Sequence, residues 1–378
     1  MKTVTVLGGS GIFGGRVARA LAATEGLHVR VAGRHGARGE PFARDFGARF
    51  VRVALDEPSS FAAALDGCTL LIHAAGPFQG RDYAVARACI ERGVHYLDLA
   101  DAREFVGGIG ALDAAARERG VFVGSGASSL PAITHALIAE IAGEFTHIVE
   151  LDLALSPGNQ NPRGAATIRA ILGSIGAPMR VWIDGAWRTR RGWGDRARLE
   201  FPPPVGWRAV HNCPVPDLDL FPAAFNARTV RFRAGLELAV FNRVLGALAT
   251  LRHLRLVPPL AGLAPIALHV SLWLFARGSK NGALAVWARG RDHDGRSIVR
   301  RIALVTADDG PATPSAPAIL LAKKLLLGPG IPPGARSCMG LLTLAELRAH
   351  LEPLGIWCAR SDASGRWSGP PPERGGVL

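Results

Sequence analysis

Lysine is almost missing from this chain of 378 residues: 40 of its 44 basic residues are arginine. Tyrosine is scarcer still. Only Tyr83 and Tyr96 occur, and Arg87 and Ala100 stand four places after them, so the Tyr-x-x-x-Lys proton relay of short-chain dehydrogenases is absent. There is no Gly-x-Ser-x-Gly elbow, no Walker A loop and no His-Glu-x-x-His pair, which removes hydrolase, nucleoside triphosphatase and zinc-protease readings. The five cysteines, Cys68, Cys89, Cys213, Cys338 and Cys358, are odd in number and form no Cys-x-x-Cys pair. They offer neither a disulfide framework nor a zinc site, no metal site is expected, and a reducing compartment is implied. No leader precedes the first strand, which starts at residue 3, so a cytoplasmic protein is expected.

Carboxylates are outnumbered, and the formal charge is +13. Such a charge would ordinarily raise nucleic acid as a partner. The arginines are scattered rather than gathered, and nucleic acid is not expected. The positive field suits an anionic cofactor and a small-molecule substrate that is anionic or carrier-bound.

Glycine is what the chain has in the right places. An apolar strand, Val4 to Leu7, runs into Gly8, Gly9, Gly11 and Gly14, and an Ala/Val/Leu-rich helical stretch follows from Arg16 to Ala22. Glycine is required where a chain turns tightly and where backbone must approach a pyrophosphate. The helix that starts there turns unpaired N–H groups and a positive dipole end toward that anion. Strand, glycine turn and helix in this order make a dinucleotide-binding fingerprint, where the glycine spacing alone would be weak.

The second strand, His28 to Ala32, ends in Gly33-Arg34, with no carboxylate until Glu40. A carboxylate at this strand end would hold the ribose hydroxyls of NAD(H). Arg34 instead suits a 2′-phosphate and can lie flat on adenine, with Arg38 as a second phosphate partner, so NADP(H) is the expected cofactor. The competing reading, Arg34 as one solvated arginine among many, stays open.

From the amino terminus to Pro131, strands and helices alternate. Strands are expected at 49–55, 69–75, 94–99 and 121–123, with helices at 60–65, 82–92 and 112–119, and a further helix starting with Pro131 at its first position. This is α/β patterning, a doubly wound parallel Rossmann sheet. Past Thr146 hairpins take over: Asp184-Gly185 marks one turn, and Asp292 to Gly295 joins Asn281–Arg291 to Ser297–Thr306. A second α+β domain with an antiparallel sheet is expected. The division is 1–132 for cofactor binding and 133–360 for substrate binding and oligomerisation, with a homodimer as one reading. Residues 361–378 are expected to be a disordered tail.

The stretch from Leu256 to Ala276 carries no charge and is flanked by Arg252, Arg255, Arg277 and Lys280. Its length can cross a bilayer, although Pro258, Pro259 and Pro265 oppose one unbroken helix. Buried core, an oligomer interface, the wall of an apolar substrate pocket and peripheral membrane contact are the other readings.

In a doubly wound sheet the ligand lies across the carboxyl ends of the strands. Asp56, after strand 3, can meet the adenine edge or serve as a turn residue. Ala75-Gly76-Pro77-Phe78, after strand 4, is placed to pass beneath the nicotinamide ribose. Tyr96 and Asp98 on strand 5 share one face and are candidates on the substrate side, where a carboxylate can exchange a proton with the reacting atom. Ser128, in the Gly124-to-Pro131 loop, can bind the carboxamide or a substrate anion, or cap a helix.

Several of these segments together resemble one family. Gly8-Gly9-Ser10-Gly11-Ile12-Phe13-Gly14, Ala32-Gly33-Arg34, Ala75 to Phe78, the run Ala88 to Asp98 and Gly126 to Ala132 are similar to the saccharopine dehydrogenase-like NADP-binding family. The resemblance runs from the amino terminus to the neighbourhood of His135, and extends loosely to Asn161-Pro162-Arg163-Gly164, the hairpin near Gly282 and Gly310-Pro311. It implies an NADP(H)-dependent oxidoreductase whose turn from Gly8 to Gly14, with Ser10, Ile12 and Phe13, holds the cofactor. The family includes amine-forming enzymes and trans-acting enoyl reductases. Ala100-Asp101 stands where many relatives carry Gly-Glu, and the length and second domain look less like true saccharopine reductases, so lysine metabolism is not implied. Hydride transfer to an apolar enoyl or carbonyl carbon, or to an imine, is the expectation. The rival is a non-catalytic NADP-binding protein associated with membranes or lipid through 256–276.

Overall fold

The computed structural model describes residues 1–362 and 365–368, so the tail expected to be disordered lies for the most part outside the described residues. The chain forms two compact units. One is Met1–Ile133 with Pro311–Leu342; the other is Thr134–Gly310 with the residues from Thr343 onward.

The first unit is built on β1 (Lys2–Leu7), β2 (Leu27–Gly33), β3 (Arg49–Arg52), β4 (Leu70–His73), β5 (His95–Asp98) and β6 (Phe122–Ser125). All pair in parallel, in the order β6-β5-β4-β1-β2-β3. Strands wrapped by crossover helices are buried on both faces and need apolar runs. Val4, Val6 and Leu7 on β1 and Leu70, Leu71 and Ile72 on β4 are accordingly buried. From β1 the chain moves to one side through β2 and β3, then returns to pair β4 on the other side. The gap between β1 and β4 is thus the switch point at which doubly wound sheets take their ligands.

A seventh strand, Gly334–Ser337, pairs in parallel with β6, with Ala335 opposite Val123. The sequence reading keeps these residues within 133–360. A segment that returns from a distant part of the chain leaves no mark in local periodicity. Pro131 also stands differently from expectation: the regular helix runs from Thr134 to Ala142, and Leu130 before the proline is extended (φ −122°, ψ 121°).

In the second unit β7 (His147–Ser156) pairs in parallel with Thr229–Ala234 on one side and antiparallel with Gly282–Arg291 on the other. Gly282–Arg291 turns back antiparallel into Ser297–Thr306. The sheet is therefore mixed, antiparallel over most of its strands with the β7 pairing as an exception. The Asp184-Gly185 turn is present, with φ of 52° and 74°, as a two-residue hairpin of matching twist requires.

The uncharged stretch 256–276 breaks into a single turn, Ala261–Leu263, and a helix of ten residues, Ala264–Trp273. Ten residues rise about 15 Å, half of a bilayer's apolar core. Among the described residues no helix is long and apolar enough to cross a membrane. Leu260, Ala264 and Ser271 are buried, whereas Ile266, Val270, Leu272 and Trp273 are exposed. The spanning alternative is overturned, because the prolines divide the stretch.

Candidate cofactor site

After Leu7 the chain has only Gly8 to Gly11 in which to leave β1 and begin the helix α1 (Ile12–Ala22). Gly8 takes φ +81°, and a Cβ there would lie 2.8 Å from the backbone nitrogen of Ala75. A Cβ on Gly14 would lie 2.4 Å from the Gly8 carbonyl oxygen. Both positions are fixed by backbone contact. Gly11 is different: it is exposed at the mouth of the turn with φ −81°, and its Cβ would meet only the Gly8 oxygen, at 3.1 Å. No side chain caps α1, and no acidic residue stands in its first turn. Its leading N–H groups and positive dipole end are left unneutralised, which is the environment a phosphate completes.

Backbone hydrogen bonds draw the other loops to the same edge. Gly8 N–H donates to Ala32 O (2.7 Å), Ala74 N–H to Leu7 O (2.7 Å), Leu99 N–H to His73 O (3.1 Å) and Ala127 N–H to Asp98 O (2.7 Å). Ser10, Ile12 and Phe13 are half-buried in the turn, as are Ala75, Gly76 and Pro77 after β4. Arg34 is exposed just past β2 and has no carboxylate partner among the described residues. Asp56 is exposed in the loop after β3, two strands from β1. A polyanion laid along this edge would meet glycine backbone, helix N–H groups and a free guanidinium, so the residues present fit a phosphorylated dinucleotide.

The residues expected nearest the chemistry lie deeper. Tyr96 is fully buried, and its hydroxyl is 3.2 Å from Nδ1 of His73. Phe78 is buried too, edge-on to His73 with ring centres 4.8 Å apart. Burial pushes the His73 imidazole down to about 3, so it is neutral. Asp98 is fully buried, and its Oδ1 accepts from Ala100 N–H (3.0 Å), Gly126 N–H (2.8 Å) and the Ser125 hydroxyl (3.0 Å). Burial raises this carboxyl to about 6, against the lowering effect of those donors. Tyr96 and Asp98 thus face the interior of the sheet, not an open surface. What Asp98 touches is the start of the 125–131 loop, and its bonds fix the path that carries Ser128, itself nearly buried.

His73 and Ser125 are not singled out by sequence reasoning. A signal for His73 exists: a polar residue closes the apolar run Leu70-Leu71-Ile72 at the carboxyl end of a central strand. Ser125 carries no such mark.

The second unit holds its own polar cluster. Glu237 accepts from Asn159 N–H (2.7 Å), Ser279 N–H (2.8 Å), the Ser279 hydroxyl (2.7 Å) and Arg208 (3.2 Å). Burial raises the Glu237 carboxyl, but these donors prevail and hold it below the usual carboxylate range. Asn161 accepts from Gly310 N–H at 3.1 Å and donates to the carbonyl of Lys280 at 3.0 Å. A Cβ on Gly310 would come within 2.6 Å of the Asn161 oxygen. The Asn161-to-Gly164 and Gly310 segments thus meet as one knot of loops.

No curated protein matches the chain in sequence. Among solved structures, yeast (Saccharomyces cerevisiae) apo saccharopine dehydrogenase (L-Glu forming) superposes with a TM-score of 0.72 at 16% identity, over 96% of this chain and 100% of that one. GenD2 from gentamicin A biosynthesis, solved in complex with NAD, gives 0.43 at 15% identity, over 93% and 92%, a likeness too loose to argue from. The yeast likeness shows the fold alone, and in fold the second domain does not depart from that protein, whose whole length superposes on nearly all of this chain. Residues 4–123 match the family described as saccharopine dehydrogenase NADP binding domain.

Proposed function

We propose that this protein is an NADP(H)-dependent oxidoreductase. The observation that carries the reading is the glycine turn: Gly8 and Gly14 admit no side chain, Gly11 opens the mouth, and an uncapped helix end faces it. Gly8, Gly11 and Gly14 would hold the pyrophosphate through backbone N–H groups, with Ser10, Ile12 and Phe13 completing the turn. Arg34 would pair with the 2′-phosphate, an interaction that NADH cannot offer. Asp56 would meet the adenine side, and Ala75, Gly76 and Pro77 the nicotinamide side, backed by Phe78.

When bound, the reduced cofactor supplies a hydride from its nicotinamide ring. The chain's contribution is to position it. Asp98 and Tyr96 act as positioning groups from within the sheet: Asp98 holds the loop that presents Ser128, and Tyr96 steadies His73 beneath Phe78. Ser128 is the candidate for contact with the carboxamide or the substrate.

The reading extends to an apolar enoyl or carbonyl compound as hydride acceptor, inclined that way by the uncharged stretch 256–276. An imine is the second reading, implied by the resemblance to a family with amine-forming members. Purified protein with NADPH and matched enoyl thioesters, ketones and amino-acid imines tests both. Cofactor oxidation with enoyl or carbonyl compounds supports the first, oxidation with imines alone the second. Binding of NADPH without turnover on any class leaves a cofactor-holding protein and rejects the oxidoreductase reading.

A further inference from the structure

No carboxylate occurs in the chain between Glu237 and Asp292. This interval includes the helices Ala239–His253 and Ala264–Trp273, which pack with Ala165–Ser174 around Leu172, Leu245, Ala249, Leu260 and Ala264. Ala165–Ser174 is also free of acidic residues. Much of what these helices leave exposed is apolar, beside the polar Arg169, Arg243, Thr250, His253 and His269. Ile266, Val270 and Trp273 follow the helical i, i+4, i+7 spacing and so form one stripe, with Trp273 85% exposed. Val244, Leu254 and Leu256 are exposed on and just after the preceding helix, Leu256 to 68%. Single exposed apolar residues need no explanation; a run of them on neighbouring helices marks an interaction surface.

The charge pattern says what it meets. Arg243, Arg255 and Arg277 are exposed and have no carboxylate partner among the described residues. Arg252 is engaged by the carbonyls of Gly173 and Ile175. We propose that this face docks on an anionic lipid surface, with Ile266, Val270 and Trp273 entering the boundary between headgroups and acyl chains, and Arg255 and Arg277, which flank the apolar segment in sequence, at the phosphates. A short apolar helix that carries tryptophan, in a segment flanked by arginine and free of carboxylates, is a composition that suits such binding. A second copy of the chain fits worse: a two-fold dimer through the same face would set arginines against arginines with no carboxylate to separate them. The helix is too short to span, so the contact is peripheral.

Flotation of the full chain with vesicles of phosphatidylcholine alone, or mixed with phosphatidylglycerol, tests this. Binding should be about tenfold stronger to the anionic vesicles and should fall as salt is raised. Ile266→Asp with Trp273→Asp alters only exposed side chains, so an unchanged melting temperature is expected with loss of flotation. Arg255→Glu with Arg277→Glu should abolish the preference for the anionic vesicles. No flotation by the native chain, or equal flotation with both vesicle types, overturns the proposal. So does a sedimentation dimer that dissociates in the Ile266→Asp, Trp273→Asp variant, which would assign the face to a second copy.

Discussion

Gly14 faces the Gly8 carbonyl so closely that a Cβ added to it would sit 2.4 Å from that oxygen. The start of α1 is therefore packed directly on the turn that leaves β1, and the helix N–H groups are held at a set distance from the strand end. For Gly11, between them, the same oxygen would lie 3.1 Å from an added Cβ, a tight contact that a small shift relieves. The two glycines separate what the fold needs from what a ligand needs.

Gly14→Ala should lower both melting temperature and NADPH affinity, because backbone must shift to admit the methyl. Gly11→Ala should lower melting far less than Gly14→Ala and weaken NADPH about tenfold, by crowding the phosphate path. Thermal melts and cofactor titrations on both variants check this; equal, undiminished affinity in Gly11→Ala would remove Gly11 from the site.

Arg34→Asp should reverse cofactor choice. The guanidinium is lost and a carboxylate is placed where ribose hydroxyls can donate to it, so NADPH should weaken and NADH gain. Competition between the two reduced nucleotides reads the change, and an unaltered ratio would return Arg34 to the solvated surface.

Asp98 gives a pH signature. Its carboxyl is raised by burial from 3.8 to about 6, so the folded state binds its proton more tightly than the unfolded chain does. Its contribution to stability is full below about pH 4 and is lost as pH rises through about 6, roughly 2–3 kcal/mol in all. Asp98→Asn keeps an Oδ1 acceptor for Ala100, Ser125 and Gly126 and cannot ionise. Native minus variant stability, from denaturant melts over the range from about pH 4 to about pH 7, should therefore decline with rising pH. Asp217, raised to about 7 in the same sense by burial, is present in both proteins and cancels.

Glu237→Ala should destabilise the second unit by about 3 kcal/mol, since it strands Arg208 and the N–H groups of Asn159 and Ser279. Glu237→Gln, which preserves an acceptor, should cost less. Denaturant melts rank the two, and a neutral alanine variant would contradict the role assigned to this carboxylate.

The segment 4–34 is legible in the sequence because its signals are local: an apolar run, glycines at forced positions, a strand ending in Arg34. The hairpin at Asp184-Gly185 is legible for the same reason. The strand Gly334–Ser337 is not, because its partner β6 (Phe122–Ser125) lies far earlier in the chain. Nor is the burial of Tyr96 and Asp98. Alternation along β5 says that they share a face, but only the paired strands and the closing 125–131 loop decide that this face is covered. The stretch 256–276 shows the converse: its composition is plain, while its division into turn and short helix follows from Pro265 and the packing of Leu260 and Ala264.

Isothermal titration of the intact protein with NADPH and with NADH tests the central claim most directly. Saturable one-site binding of NADPH, tighter than that of NADH and weakened in Gly11→Ala, is expected. Absence of binding heat and of any protective shift in melting temperature with both nucleotides would contradict it.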